Sequence, residues 1–309
     1  MFPSKKLMND VLKMHHSSLN YENSILKEEI LKVKKHNPNI ITKIDKFEIN
    51  FKNFILKQIF FLKQKNKEIQ LKKFLDEIES LKTNKIYFKK KKINIFLNYE
   101  IFKSEINQIY HPDTKIINSK RFNSYNKEYL KLLKNTFLFL EKNSSKFLLF
   151  FLDTVSNLVP LIFFKKNRNK NISFTMSNLQ STIFFSGENL ILLSESIIHE
   201  STHNFIYMIE KFNELYKNEK HKINTPLRKD KRPIKGFFHQ FLVLYNLKSF
   251  YQNLLNNKHN QLIIKNKNSI IKRQKMMEND FNKCLNIFSK NKKFFTNYAK
   301  QLLTKNQII

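Results

Sequence analysis

Apolar residues recur at helical spacing through the first quarter of the chain: Leu7, Val11 and Leu12, then Ile25, Ile30 and Leu31, then Ile55, Ile59 and Leu62, then Ile69, Phe74, Ile78 and Leu81. Residues three and four apart share one face of a helix, so this spacing predicts a set of helices up to about Leu81, separated at Asn37-Pro38 and near Asn66. Ile86-Tyr87-Phe88 and the stretch 93–97 flank the basic run 89–92 and predict two short strands joined by a solvated turn. After the turn signal His111-Pro112-Asp113, residues 125–140 predict an amphipathic helix carrying Leu130, Leu133, Phe137 and Leu140. The pattern then changes. Residues 147–152, 159–164, 172–176, 182–185 and 189–193 are short, rich in β-branched and aromatic side chains and punctuated by polar turns, which predicts a small, mostly antiparallel sheet. Gly187 falls between the last two of these and is expected at a hairpin position with positive φ.

The sheet leads into an apolar-striped helix over 193–210, followed by a polar loop over 213–231, a helix opened by Pro233, and two more helices between 263 and 305. The expected fold class is α+β, predominantly helical. A helical region over 1–85 is expected to precede a metal-binding catalytic domain over 86–309.

Charge changes this picture less than its size suggests. The chain of 309 residues carries a formal net charge of +32, which suits nucleic acid or an anionic surface. The excess is spread along the chain, however, with no clustered footprint and no nucleic-acid module. Abundant Lys, Asn, Ile and Phe beside only 2 Gly and 0 Trp look like the codon bias of an A/T-rich genome. No specific nucleic-acid partner is expected. Cys284 is alone, which excludes an internal disulfide framework and a cysteine zinc cage. The first twelve residues lack a signal-peptide pattern, and the apolar run 147–164 is broken by Asp153, Ser156, Asn157 and Pro160. The expectation is no membrane span and a cytoplasmic protein.

The candidate chemistry lies in LSESIIHESTHNFIYMIE, where His199, Glu200 and His203 form H-E-x-x-H. Positions i and i+4 stack on one helix face, so His199 and His203 can direct their imidazoles at one ion. Glu200 stands about 100° round the helix, able to lean toward the ion's open side without being a ligand. Ser194 and Ser196 offer N-cap oxygens. Two histidines satisfied by carbonyls or water are the alternative. His15, His16 and His36 are read as surface residues. A catalytic site needs a third donor. Ile206 and Ile209 stand where the longer H-E-x-x-H-x-x-G-x-x-H pattern would have Gly and His. Glu210 shares the face of His203 but lies about 10 Å along the axis, too far for the same ion. His239, opening a fresh apolar helix, is the preferred third donor, with Glu214 and Glu219 as alternatives. Gly236, one turn before His239, would let a backbone or a ligand approach closely, or would serve simple helix packing.

The stretches TIFFSGENLILL, SIIHESTH and RPIKGFFHQFLVLYNL together resemble the H-E-x-x-H peptide-modification proteins, which are encoded beside ribosomally made peptides and regarded as 2-oxoglutarate-dependent peptide β-hydroxylases. The likeness covers roughly residues 147–251. It implies Fe(II) held by His199, His203 and His239, with 2-oxoglutarate as cosubstrate and a precursor peptide as substrate. Arg232, which opens R-P-x-x-G-x-x-H, would grip the far carboxylate of 2-oxoglutarate, since its planar fork matches a carboxylate. Glu200 would orient the bound species or the imidazoles. The rival is a zinc metallopeptidase, with Glu200 as general base for a metal-bound water and Glu214 or Glu219 as third ligand. A metal-free binding protein is the third class.

Overall fold

A computed structural model describes residues 2–25, 44, 49–81, 83–96, 100–102, 122–160, 173–187, 189–225, 228–257 and 259–309. The fold is α+β and predominantly helical, with a small five-stranded sheet and a separate two-stranded hairpin. The chain forms two compact units, each discontinuous in sequence: Met1–Leu12, Asn135–Phe151 and Ser194–Ile309 in one, Lys13–Lys134 and Leu152–Leu193 in the other. The boundary expected at residue 85 falls inside the second unit.

Helix α1 (Lys5–Ile25) is followed in that second unit by α2 (Ile49–Gln64) and α3 (Glu68–Ser80), which part near Asn66 as the spacing predicts; Asn66 takes a φ of 48°. The expected break at Asn37-Pro38, the turn at 111–113 and His36 lie outside the described residues. His15, expected at the surface, is 1% exposed. Strands β1 (Thr83–Phe88) and β2 (Lys91–Phe96) form the expected hairpin, closed by Lys89 and Lys90 at φ 47° and 65°. Both turn residues are left-handed, a conformation usually given to Gly or Asn.

The sheet runs β1-β2-β3-β5-β4, with β3 at Asn157–Pro160, β4 at Ser173–Phe174 and β5 at Thr182–Phe185. It is mixed, not mostly antiparallel, because β2 pairs β3 and β3 pairs β5 in parallel. Parallel neighbours need a long crossover. The crossover between β2 and β3 includes α4 (Phe122–Thr154), which absorbs the strand expected at 147–152. An unbroken apolar run does not distinguish a buried strand from a buried helix; here Phe147, Leu148, Phe150 and Phe151 are buried while Leu149 is 48% exposed. Asn94, Asn157 and Thr182 share one row of the sheet, Asn94 donating to Asn157 Oδ1 at 3.0 Å and Asn157 to Thr182 Oγ1 at 3.3 Å. Beside them Phe51, Phe96, Phe102 and Phe184 pack edge to face and tilted in the core of this unit.

Helix α5 (Leu190–Glu210) carries the motif. Its first turn takes up the strand expected at 189–193, and its cap is Asn189, whose Oδ1 accepts from Ile191 N at 2.8 Å and Leu192 N at 3.4 Å. Ser194 and Ser196, the expected caps, are buried within the helix. Gly187 therefore precedes a helix and not a hairpin strand, and no glycine among the described residues has a positive φ.

In the first unit, β6 (Lys222–Thr225) and β7 (Arg228–Pro233) form a hairpin inside what the sequence suggests is a polar loop. Pro233 then caps α6 (Ile234–Asn256), and α7 (Gln261–Lys265), α8 (Lys267–Asn291) and α9 (Asn297–Lys305) follow. Phe241 of α6 stacks on Phe281 and Phe288 of α8. Asn246 of α6 donates to Thr202 of α5 at 3.0 Å and accepts from Phe2 N at 3.2 Å, so a buried amide fixes the register of the two site-bearing helices. No helix among the described residues is long and apolar enough to cross a membrane.

Candidate metal centre

The motif histidines do what their spacing requires: one turn apart on α5, they bring His199 Nε2 and His203 Nε2 to 3.1 Å. Two nitrogens held at about 2.1 Å by one tetrahedral ion stand roughly 3.4 Å apart, so this pair sits near chelating separation. His239, 4% exposed in the second turn of α6, places its Nδ1 2.8 Å from His203 Nδ1. Its other nitrogen, Nε2, lies 2.9 Å from Glu210 Oε1.

With each of the three rings carrying one hydrogen, a single set of tautomers satisfies this row. A carboxylate only accepts, so His239 carries its hydrogen on Nε2 and donates it to Glu210. Neutral His239 then accepts at Nδ1 from His203 Nδ1–H, and His203 accepts at Nε2 from His199 Nε2–H. His203 thus turns its two nitrogens to two different neighbours. For that reason no three His, Cys, Asp or Glu donors among the described residues already surround one point; gathering all three imidazoles on one ion takes rotation of a ring.

Burial sets the two motif histidines to be neutral. Burial holds His203 well below the ordinary imidazole value, helped by His199, His239 and the Arg232 charge. Burial also lowers His199 to about 4, with Glu195 opposing and Arg232 and Arg273 assisting, although its side chain is 39% exposed. Neutral imidazoles keep the lone pairs that a metal requires. A stability consequence follows from the sign. Between about 6.5 and 4 the unfolded chain binds protons at these positions that the folded chain does not, so stability present at neutral pH is lost as the pH falls through that window. Metal-free protein is expected to melt at progressively lower temperature from pH 7 to pH 4, and a His199→Gln, His203→Gln double variant to show a shallower slope in the same melts.

The remaining motif residue, Glu200, is 1% exposed, with Oε1 3.8 Å from His199 Nε2. One turn before His199, Glu195 accepts from Tyr251 of α6 and from Arg273 of α8, whose Nε lies 3.0 Å away. This carboxylate ties α5 to the two helices behind it.

His203 and His239 line a cavity of about 630 Å³ whose walls also include Tyr207, Arg232, Lys222, Lys235 and Glu219. The Tyr207 ring lies 4.9 Å from that of His239, and burial, followed by Glu210 and Glu200, raises its phenol to about 12. Arg232 comes from β7, opposite Ile223, and its shaft crosses α6 at Gly236. A Cβ on Gly236 would stand 2.8 Å from Arg232 Nε and 3.3 Å from its Cδ and Cγ. What Gly236 lets approach is thus neither a backbone nor a ligand but the Arg232 side chain. Arg232 Nη1 donates to Gln240 Oε1 at 3.1 Å, which fixes the far end of the guanidinium.

The structure thus brings His199, Glu200, His203, His239 and Arg232 to one place. Of the alternative third donors, Glu219 pairs with Lys235 at 3.7 Å on the cavity edge and Glu214 is exposed. Sequence reasoning weighed Glu210 only as a ligand of the ion and set it aside, and it missed Tyr207. Both follow His203 on its own helix face, at i+7 and i+4, and that spacing was the available signal. Compared with protein-family models and with curated proteins, the chain matches none.

Proposed function

We propose that the protein is an Fe(II)/2-oxoglutarate-dependent hydroxylase acting on side chains of a ribosomally made peptide. The observation that carries this reading is a row of three imidazoles, two of them held neutral by burial, beside a cavity that His203 and His239 line and whose walls hold Arg232, Lys222 and Lys235 together with Glu219. The donor set fits: imidazole suits iron as well as zinc, and an ion there would be held by His199, His203 and His239. Bound iron would supply the redox chemistry by which 2-oxoglutarate, O₂ and a peptide C–H become succinate, CO₂ and a C–OH.

The chain's own residues do the rest. Burial keeps His199 and His203 unprotonated at neutral pH, so no proton competes for the donor nitrogens. Arg232, immobilised over Gly236 and by Gln240, presents a planar donor fork to the far carboxylate of the cosubstrate. Tyr207 remains a neutral phenol beside His239, adding no negative charge to a site for an anion.

One observation favours the zinc peptidase: the buried Glu200 carboxylate, 3.8 Å from His199 Nε2, stands where a general base for a bound water would. The cationic cavity favours an acidic cosubstrate, and so the hydroxylase. The test is to supply anaerobically purified protein with Fe(II) and 2-oxoglutarate and to co-express it with its precursor peptide. Succinate release and a peptide heavier by one oxygen atom support the proposal. Peptide cleavage with zinc and no cosubstrate replaces it with the rival.

A further inference from the structure

We infer that Glu210 is the positioning residue of this centre: it turns the His239 ring so that Nδ1, and not Nε2, is the nitrogen offered to the ion. The inference rests on the metal-centre reading above.

Glu210 is the last residue of α5, two turns beyond His203. Its Oε1 accepts from His239 Nε2 at 2.9 Å and from the Tyr216 hydroxyl at 2.7 Å, while Oε2 pairs with Lys235 Nζ at 3.0 Å. A carboxylate engaged at both oxygens, with side-chain relative exposure of 11%, is a rigid acceptor. Because Nε2 of His239 is committed to it, the lone pair left on a neutral ring is on Nδ1, on the side of His203. Histidine ligands commonly give their second nitrogen to a carboxylate, which fixes the tautomer and raises the basicity of the donor. An ion taken up here would be held by Nε2 of His199 and His203 from α5 and by Nδ1 of His239 from α6. Lys235, the second residue of α6, and Tyr216 act one step further out, by holding the carboxylate.

The experiment uses Co(II) as the probe, titrated into metal-free full-length protein and followed by visible absorption. Wild type, Glu210→Gln, Glu210→Ala and Glu68→Gln are compared. Glu68 is an exposed residue of α3, outside the unit that holds the imidazoles, so Glu68→Gln should bind as wild type does. Glu210→Ala should weaken Co(II) roughly 10- to 100-fold, the usual cost of removing a carboxylate behind a ligating histidine. Glu210→Gln keeps an oxygen for Nε2–H and should recover part of that loss, which also covers the case in which the alanine variant does not fold. With isotope-labelled histidine, NMR of the Zn(II)-loaded wild type should show His239 bound through Nδ1 and protonated at Nε2. Wild-type affinity in folded Glu210→Gln and Glu210→Ala, or Nε2 ligation of His239, overturns the inference. Failure of wild type to take up Co(II) or Zn(II) overturns the metal-centre reading itself.

Discussion

Under the proposed metal-centre reading, His203→Ala is expected to lose metal more completely than any other single substitution at the site. Its ring stands between the other two, 3.1 Å from His199 Nε2 and 2.8 Å from His239 Nδ1. Deleting it removes one donor and also the group that holds the remaining two near each other. The loss of affinity should exceed the roughly 10- to 100-fold that a supporting residue commands. Metal analysis after gel filtration should find wild type loaded and the variant empty. The effect on folding is separate and has its own readout. In metal-free protein the substitution leaves the His239 nitrogen without its donor at a 4% exposed position, which costs about 1–3 kcal/mol. Metal at a hundredfold excess over its dissociation constant should stabilise wild type by about 2.7 kcal/mol and the variant not at all. Retention of stoichiometric metal by His203→Ala would remove the centre from the account.

Much of this side-chain cluster was legible because it depends on helix periodicity. The i, i+4 relation of His199 and His203 is local, and it needed only a helix to become a geometry. His239 was reachable by a different route, since an imidazole opening an apolar helix must find a partner. Glu210 shows where that reasoning stopped. Its distance was judged against an ion, and by that measure it is too far; against the outer nitrogen of His239 it is in contact. A residue that acts through a second histidine becomes visible only once α6 is placed beside α5.

Two of the misread elements share one physical cause. Residues 147–152 and 189–193 are apolar on nearly every position, so they carry neither a period of two nor one of 3.6, and both are helical. What decided the second was Asn189, a cap outside the apolar run. The hairpin β6–β7 failed in the opposite way: its sequence, KINT and RKDKRP, is too polar to announce a strand, and cross-strand pairing holds it. The parallel pairs of the sheet are decided by a crossover that no window of sequence contains.

Glycine scarcity gives the last argument its force. This chain places lysine at the left-handed positions 89 and 90, yet keeps one of its 2 glycines at 236. Backbone conformation does not explain the choice, since no described glycine has a positive φ. Space does: a methyl group at 236 would stand 2.8 Å from Arg232 Nε. Gly236→Ala is therefore expected to act through Arg232. Under the proposed function, Arg232→Gln should weaken 2-oxoglutarate about 10- to 100-fold, corresponding to the roughly 1.5–3 kcal/mol of a charge-assisted hydrogen bond. Gly236→Ala should weaken it in the same direction by displacing the guanidinium, while leaving Co(II) binding at the imidazoles near the wild-type value. Its melting temperature should not fall, because alanine in a helix is favoured over glycine by up to about 1 kcal/mol. The double variant should bind 2-oxoglutarate no worse than Arg232→Gln alone, since both substitutions remove one interaction and their effects do not add. Additive losses, or an unchanged 2-oxoglutarate affinity in Gly236→Ala, would show that the glycine serves helix packing and that the guanidinium is not held where the cosubstrate needs it.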